Sequence, residues 1–247
     1  MYSAPQGKLR EMVTRPKSEN RPSGLMVVLA FLIAVVAAVG LVIAALVLRS
    51  NDSSAPPSLT PTVDLSGIPQ DGAVLGSPGA NVTLIEYADL QCPACRAYAE
   101  AVLPSVVGEY VRPGRVKTEF RGIAYIGSDS EKALRFVYAA GMQDRLWQLQ
   151  EALYRNQGGE NAGWVTDELV RKIAAEIPGL DADRLFADAD SADVASMIDE
   201  VAAQAEAAEV PGTPSLFIQI GDAEPYMLEF GIGSTAFFAA LDDALAG

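Results

Sequence analysis

Glu86-Tyr87-Ala88-Asp89-Leu90-Gln91-Cys92-Pro93-Ala94-Cys95 is the stretch on which the rest of the chain turns. Ahead of and into it, Asn81-Val82-Thr83-Leu84-Ile85-Glu86-Tyr87 is rich in β-branched and large apolar residues, the composition of a strand. Behind it, Tyr98, Val102, Val106 and Tyr110 recur every fourth residue, which places them on one face of a helix over 93–110. The two cysteines therefore stand where a strand hands over to a helix. Pro93 suits the first helical turn, where its missing N–H is not needed. Pro104 is expected to kink the same helix.

These are the only cysteines of the 247-residue chain, and it contains no histidine. Ser-His-Asp and Cys-His catalysis and histidine-ligated metals are thereby excluded. As a staple the pair is poor, because it closes a minimal loop and chain-entropy stabilisation grows with loop length. As half of a zinc site it lacks two ligands, which carboxylates or a second chain would have to supply. As a redox pair it is well placed. Cys92 sits where unpaired backbone N–H groups and the helix dipole favour a thiolate. Cys95, one turn in, is shielded. That makes Cys92 the expected nucleophile and Cys95 the resolving thiol. No metal and no organic cofactor is expected.

Outward from this junction, Val116 to Ile123 reads as a second strand after Arg112-Pro113-Gly114. Residues 129–209 read as helical: one helix over Glu131–Gln157, one over Asp167–Ile177 capped by Thr166, and a stretch from Asp181 to Glu209 interrupted near Asp190-Ser191. Trp147 and Trp164 are expected to serve packing. Strands return at Ser215–Ile220 and Tyr226–Phe230, and Ser234–Ala246 closes the chain as a helix. The order is mixed α/β with one inserted helical block.

The amino-terminal quarter differs. Gly24 to Leu48 carries no charge, and as a helix its 25 residues reach roughly 37 Å, enough for a ~30 Å hydrocarbon core. Signal-peptide cores are shorter and end at a small-residue site, so an uncleaved anchor is expected over a cleaved signal. Residues 1–23 carry a net +3, which leaves −17 for the remainder of a chain of net −14. Short basic flanks stay inside, so the carboxy-terminal bulk is expected outside the cytoplasm. At −17 that bulk repels phosphate backbones, and nucleic acid is not an expected partner. Residues 49–72, with Pro56, Pro57, Pro61 and Pro69, read as a linker, and the domain is expected over 73–247.

The Glu86–Cys95 segment resembles the active-site segment of DsbA-like thioredoxin-fold proteins. Val210-Pro211-Gly212-Thr213-Pro214-Ser215 resembles their cis-proline loop, and the helical block between the two segments matches in kind. The resemblance covers roughly residues 71–247. It implies a thioredoxin-like α/β fold with an inserted helical block, here preceded by one transmembrane helix. It also implies that Thr213 and Pro214 lie against the Cys92–Cys95 pair, the backbone at Thr213 pairing with an extended substrate. Glu86, six residues before Cys92, takes the place of an acid that lies beneath the disulfide and relays protons to the resolving cysteine. Ala94 stands where the best-known DsbA pattern has histidine, and supplies no cation or donor to the thiolate.

The function this implies is a dithiol oxidase acting on reduced exported proteins, with a membrane quinone-linked enzyme as reoxidising partner. The alternatives are a reductase or isomerase on the same fold, or a non-enzymatic module that holds an extended peptide in the thioredoxin groove.

Overall fold

The computed structural model describes Ile33 and residues 35–41, 63–229 and 231–247. The chain divides into two units, Met1–Pro56 and Pro57–Gly247. In the first, the described residues are helical, with apolar side chains such as Val36 and Leu41 exposed. The expected transmembrane segment 24–48 falls for the most part outside the described residues. Among those described, no helix is long and apolar enough to cross a membrane.

Among the described residues the second unit is built on six strands: β1 (Gln70–Asp71), β2 (Val74–Leu75), β3 (Val82–Ala88), β4 (Val116–Gly122), β5 (Ser215–Ile220) and β6 (Tyr226–Met227). They are ordered β1-β2-β4-β3-β5-β6. β3 is central, parallel to β4 and antiparallel to β5, and all seven of its residues are buried. Both faces are covered, which is why the strand is almost wholly apolar rather than alternating.

Side chains of a strand alternate between faces. Ile85 and Tyr87 join Ile123, Ala205, Val210 and Phe217 in a small core on one side. Val82, Leu84 and Ala88 join the main core on the other, together with Cys95, Tyr98 and Ala99 of the helix that follows. Glu86, between Leu84 and Ala88 in this alternation, points into the main core beneath that helix.

The helix expected over 93–110 is three pieces. It runs over Pro93–Ala101, restarts at Leu103–Val106 and widens into a π-helical turn over Val107–Val111. Pro104, which has no N–H to give, lies in the first turn of the second piece instead of kinking a continuous helix.

The helix expected over Glu131–Gln157 is two, Ser128–Gly141 and Leu146–Arg155. Asp144 adopts a left-handed conformation at the break (φ 56°), and Arg145 N–H bonds back to Ala140 O at 2.9 Å. Both halves bury leucines in the same core, so the apolar spacing runs through the break without marking it.

The remaining helices, Asp167–Glu176, Ala182–Ala189, Ala192–Ala207 and Thr235–Ala246, lie close to expectation. Thr166, Ser191 and Ser234 side chains accept hydrogen bonds from the third residue of their helices.

The segment read as linker is part of the domain from Val63 on. Val63, Leu65 and Ile68 are buried, and Val63 N–H donates to Glu151 Oε1 at 3.1 Å. Arg112 donates to the carbonyls of Asp64 and Ser66, and Gln70–Asp71 adds a strand. These anchor points are separated by a turn at Gly67 and by Pro69, so they follow neither a helical nor a strand period.

Candidate active site

Cys92 caps the Pro93–Ala101 helix with extended backbone angles and Pro93 at the first position. Pro93 and Ala94 are exposed, whereas Cys95 is fully buried and Cys92 is 8% exposed. Both are free thiols.

The partner loop reaches the site through the sheet. β5 begins at Ser215, which pairs with Tyr87 near the end of β3, so the residues before Ser215 lie beside the turn that leaves β3. The Thr213–Pro214 peptide bond is cis, and Cys92 Sγ lies 3.3 Å from Thr213 O, to which it donates. Ser215 Oγ donates to Gly212 O at 2.8 Å and fixes the loop's bend.

The two thiols are electrostatically unlike. Hydrogen bonding from Cys95 lowers the Cys92 thiol to about 5 against some opposition from burial. The Thr213 side chain and the backbone N–H groups of Cys95 and Ala94, at the helix start, add to the lowering. Burial pushes the Cys95 thiol far above its ordinary value. The hydrogen bond it gives to Cys92 and the nearby charges of Cys92 and Glu86 push it the same way.

Beneath Cys95, Glu86 is fully buried, and neither carboxyl oxygen has a hydrogen-bond partner among the described residues. Burial raises its pKa to about 8, so it is mostly protonated at neutral pH. The Tyr98 hydroxyl is likewise buried and without a partner among the described residues; burial, and then the nearby Glu86, raise its pKa.

The structure thus brings Cys92, Cys95, Glu86, Thr213 and Pro214 to one place. Arg96, beside Cys95, is turned to Glu100 at 2.9 Å. Among the described residues no three His, Cys, Asp or Glu side chains are grouped as metal ligands. A cavity of about 610 Å³ lies between residues 63–70 and the helical block, lined by none of the site residues.

Sequence reading missed a layer of polar residues around the site. Asp89 is fully buried; its carboxylate accepts from Gln91 N–H, Ser130 Oγ and Ile126 N–H at 2.6–2.9 Å. Tyr154 Oη donates to Asp89 O at 3.4 Å, and Gln157 Nε2 donates to Leu90 O at 2.8 Å. The one cue in the sequence was Asp89 and Gln91, two polar residues inside an otherwise apolar run up to Cys92.

A family model described as Thioredoxin matches residues 69–223. The probable disulfide bond formation protein D of Bacillus cereus is 30% identical over 154 residues, 61% of this chain and 71% of the relative. The oxidised crystal structure of BdbD from Bacillus subtilis superposes with a TM-score of 0.63 at 20% identity, covering 73% of this chain and 98% of that one. The chain belongs to the DsbA-like thioredoxin-fold family. This DsbA-like protein is a thiol–disulfide oxidoreductase. It is also similar to a thioredoxin-like oxidoreductase from Silicibacter pomeroyi, at 28% identity and a TM-score of 0.54 over 73% of this chain and 91% of that structure. The thioredoxin-like fold with its helical insertion, expected from the resemblance, is what the DsbA-like chain adopts.

Proposed function

We propose that this protein is a dithiol oxidase, held at the cell membrane, that introduces disulfides into exported proteins through Cys92 and Cys95. The observation that carries this is the split between the two thiols, with Cys92 lowered to about 5 and Cys95 raised. A stabilised Cys92 thiolate favours the reduced form, and a pair whose reduced form is favoured is an oxidant. The similarity to proteins named for disulfide bond formation supports the same direction of electron flow.

In the proposed reaction a substrate thiolate attacks Cys92 Sγ. The Cys92–Cys95 bond breaks, and Cys95 leaves with the electron pair and takes up a proton. Glu86, protonated at neutral pH, is the donor within the core. A second substrate thiolate then attacks the substrate sulfur of the mixed disulfide and releases Cys92. Two electrons have passed from substrate to enzyme, and a membrane quinone-linked reoxidase is the partner proposed to remove them. The backbone at Thr213, beside Cys92 Sγ, is the proposed rest for the substrate strand, with Pro93 and Ala94 as the exposed rim.

The test is the reduction potential, measured by equilibration with glutathione buffers. It is expected to fall between those of thioredoxin and DsbA, roughly −270 and −120 mV. The helix start stabilises the thiolate, and Ala94 withholds the help a histidine would add. A value at or below that of thioredoxin would make the protein a reductase.

The proposed location rests on the uncharged Gly24–Leu48 span and its basic flank. Protease added to intact protoplasts is expected to digest the domain and leave a short protected amino-terminal fragment. A soluble mature form beginning near residue 50 would overturn the anchor.

A further inference from the structure

Three loops converge behind Cys92: the turn after β3 (89–91), the turn after β4 (124–127) and a loop of the helical block (156–164). Gln91, 1% exposed, holds them together. Its Nε2 donates to Ser130 Oγ at 2.9 Å and to Asn161 Oδ1 at 3.1 Å, and its Oε1 accepts from Asn161 N–H at 2.6 Å. Asn161 Nδ2 donates to Ile126 O at 2.9 Å, while Ile126 N–H donates to Asp89. Gln157 Nε2 spans Leu90 O at 2.8 Å and Cys92 O at 3.2 Å.

Both donors and the acceptor of the buried Gln91 side chain are thus used, which fixes its geometry, while Gln157 is half-buried and Asn161 lies exposed at the outer edge of the network. Asn161 sits in the left-handed region (φ 51°), which asparagine tolerates better than most residues. The loop geometry and the network agree.

We propose that Gln157 and Asn161 are positioning residues for Cys92: the helical block grips the turn before the nucleophile and holds its sulfur at the helix start, beside Thr213. Neither residue touches the sulfur; each acts through backbone or through Gln91. If the grip is released, the turn gains freedom and the sulfur loses its fixed place at the start of the helix. The inserted block is then more than a cover over the sheet, because it sets the reactivity of a cysteine more than sixty residues earlier in the chain.

The test uses the full chain and three variants. Asn161→Gly removes the side chain while glycine keeps the left-handed backbone without strain. Gln157→Ala removes the bonds to Leu90 and Cys92. Thr166→Ala, in the same block, removes only the cap on Leu169 N–H and serves as the stability control. The titratable groups nearest the redox pair, Cys95 and Glu86, and the Arg96–Glu100 ion pair are the same in all three.

Thiolate absorbance of the reduced protein against pH reads Cys92 directly, and equilibration with glutathione reads the redox pair. Asn161→Gly and Gln157→Ala are each expected to raise the Cys92 pKa by about one unit, and to make the disulfide about tenfold less oxidising in equilibrium constant. Thr166→Ala is expected to lower the melting temperature and leave both readings in place.

If both site variants melt lower but keep the parent's thiol pKa and equilibrium constant, the network is structural only and the inference fails. It fails equally if Thr166→Ala shifts the two readings as much as they do. The inference takes Cys92 as the redox thiol. Its titration does not depend on the direction of electron flow, so a reductase-like potential would sink the oxidase reading and leave this one standing.

Discussion

Replacing Cys95 with alanine is expected to leave exported proteins caught on Cys92 as mixed disulfides, whereas Cys92→Ala catches none. Thiol–disulfide exchange needs an attacking thiolate and an approachable sulfur. Cys92 offers both, with a pKa of about 5 and a place at the helix tip beside Thr213 O. Cys95 offers neither, being fully buried with its thiol pushed far up. The variant cannot form a Cys92–Cys95 disulfide, so its Cys92 thiolate enters a complex by attacking a disulfide of an exported protein and displacing one of that protein's sulfurs as a thiolate; in the wild type Cys95 can attack the mixed disulfide and expel the substrate, and alanine removes that route, so the complexes persist. With Cys92 gone, the remaining thiol is almost wholly protonated at neutral pH, and exchange with a small disulfide should slow about a hundredfold or more. Non-reducing gels of membrane fractions should show high bands that collapse with reductant for Cys95→Ala only. Equal bands from both variants, or none from either, would remove Cys92 from the attacking position and favour a peptide-holding module.

Which parts of this site could be read in advance follows from how far apart its members lie along the chain. The strand-to-helix junction is contiguous: β-branched residues up to Tyr87, then Pro93 and a fourfold apolar repeat, so composition and period suffice. The orientation of Glu86 is legible only once β3 is taken as buried on both faces, since alternation then fixes which core it enters. Nothing local brings Thr213 to Cys92, 121 positions apart; that juxtaposition came from a resemblance, and in the structure it is made by the Tyr87–Ser215 register. The ring of Asp89, Gln91, Ser130, Gln157 and Asn161 had no such guide. Each of these residues taken alone reads as an ordinary loop or helix polar group, and only the folded chain turns them into mutual partners. The same holds for Val63, Leu65 and Ile68, single apolar contacts in a Pro- and Ser-bearing stretch whose composition reads as a linker.

Replacing Glu86 with glutamine is expected to stabilise the fold at neutral pH and to slow the chemistry. The carboxyl has a pKa of about 8 in the folded chain and near 4.5 when unfolded. Between those values the folded state holds a proton that the unfolded state has released, so stability is greatest below about pH 4.5 and falls as pH rises towards 8. At 1.36 kcal/mol for each unit of difference, burying this group in its neutral form at pH 7 costs about 3 kcal/mol. Glutamine keeps the shape and stays neutral at every pH, which removes that cost. Urea unfolding should therefore show Glu86→Gln more stable than wild type by about 3 kcal/mol at pH 7. The two should converge near pH 4.5, with the slope between pH 4.5 and 8 much reduced in the variant. Activity should move the other way, because Glu86 is the proton donor proposed for the leaving Cys95 and glutamine cannot give up a proton. General acid assistance of this kind is worth roughly 10² or more in rate. Stopped-flow oxidation of a dithiol peptide should show the loss for Glu86→Gln near neutral pH, where Cys95 most needs the proton. A variant no more stable than wild type at pH 7, with an unchanged pH slope, would mean that the carboxyl is ionised and solvated in the folded protein. An unchanged rate would mean that Cys95 is protonated by another route.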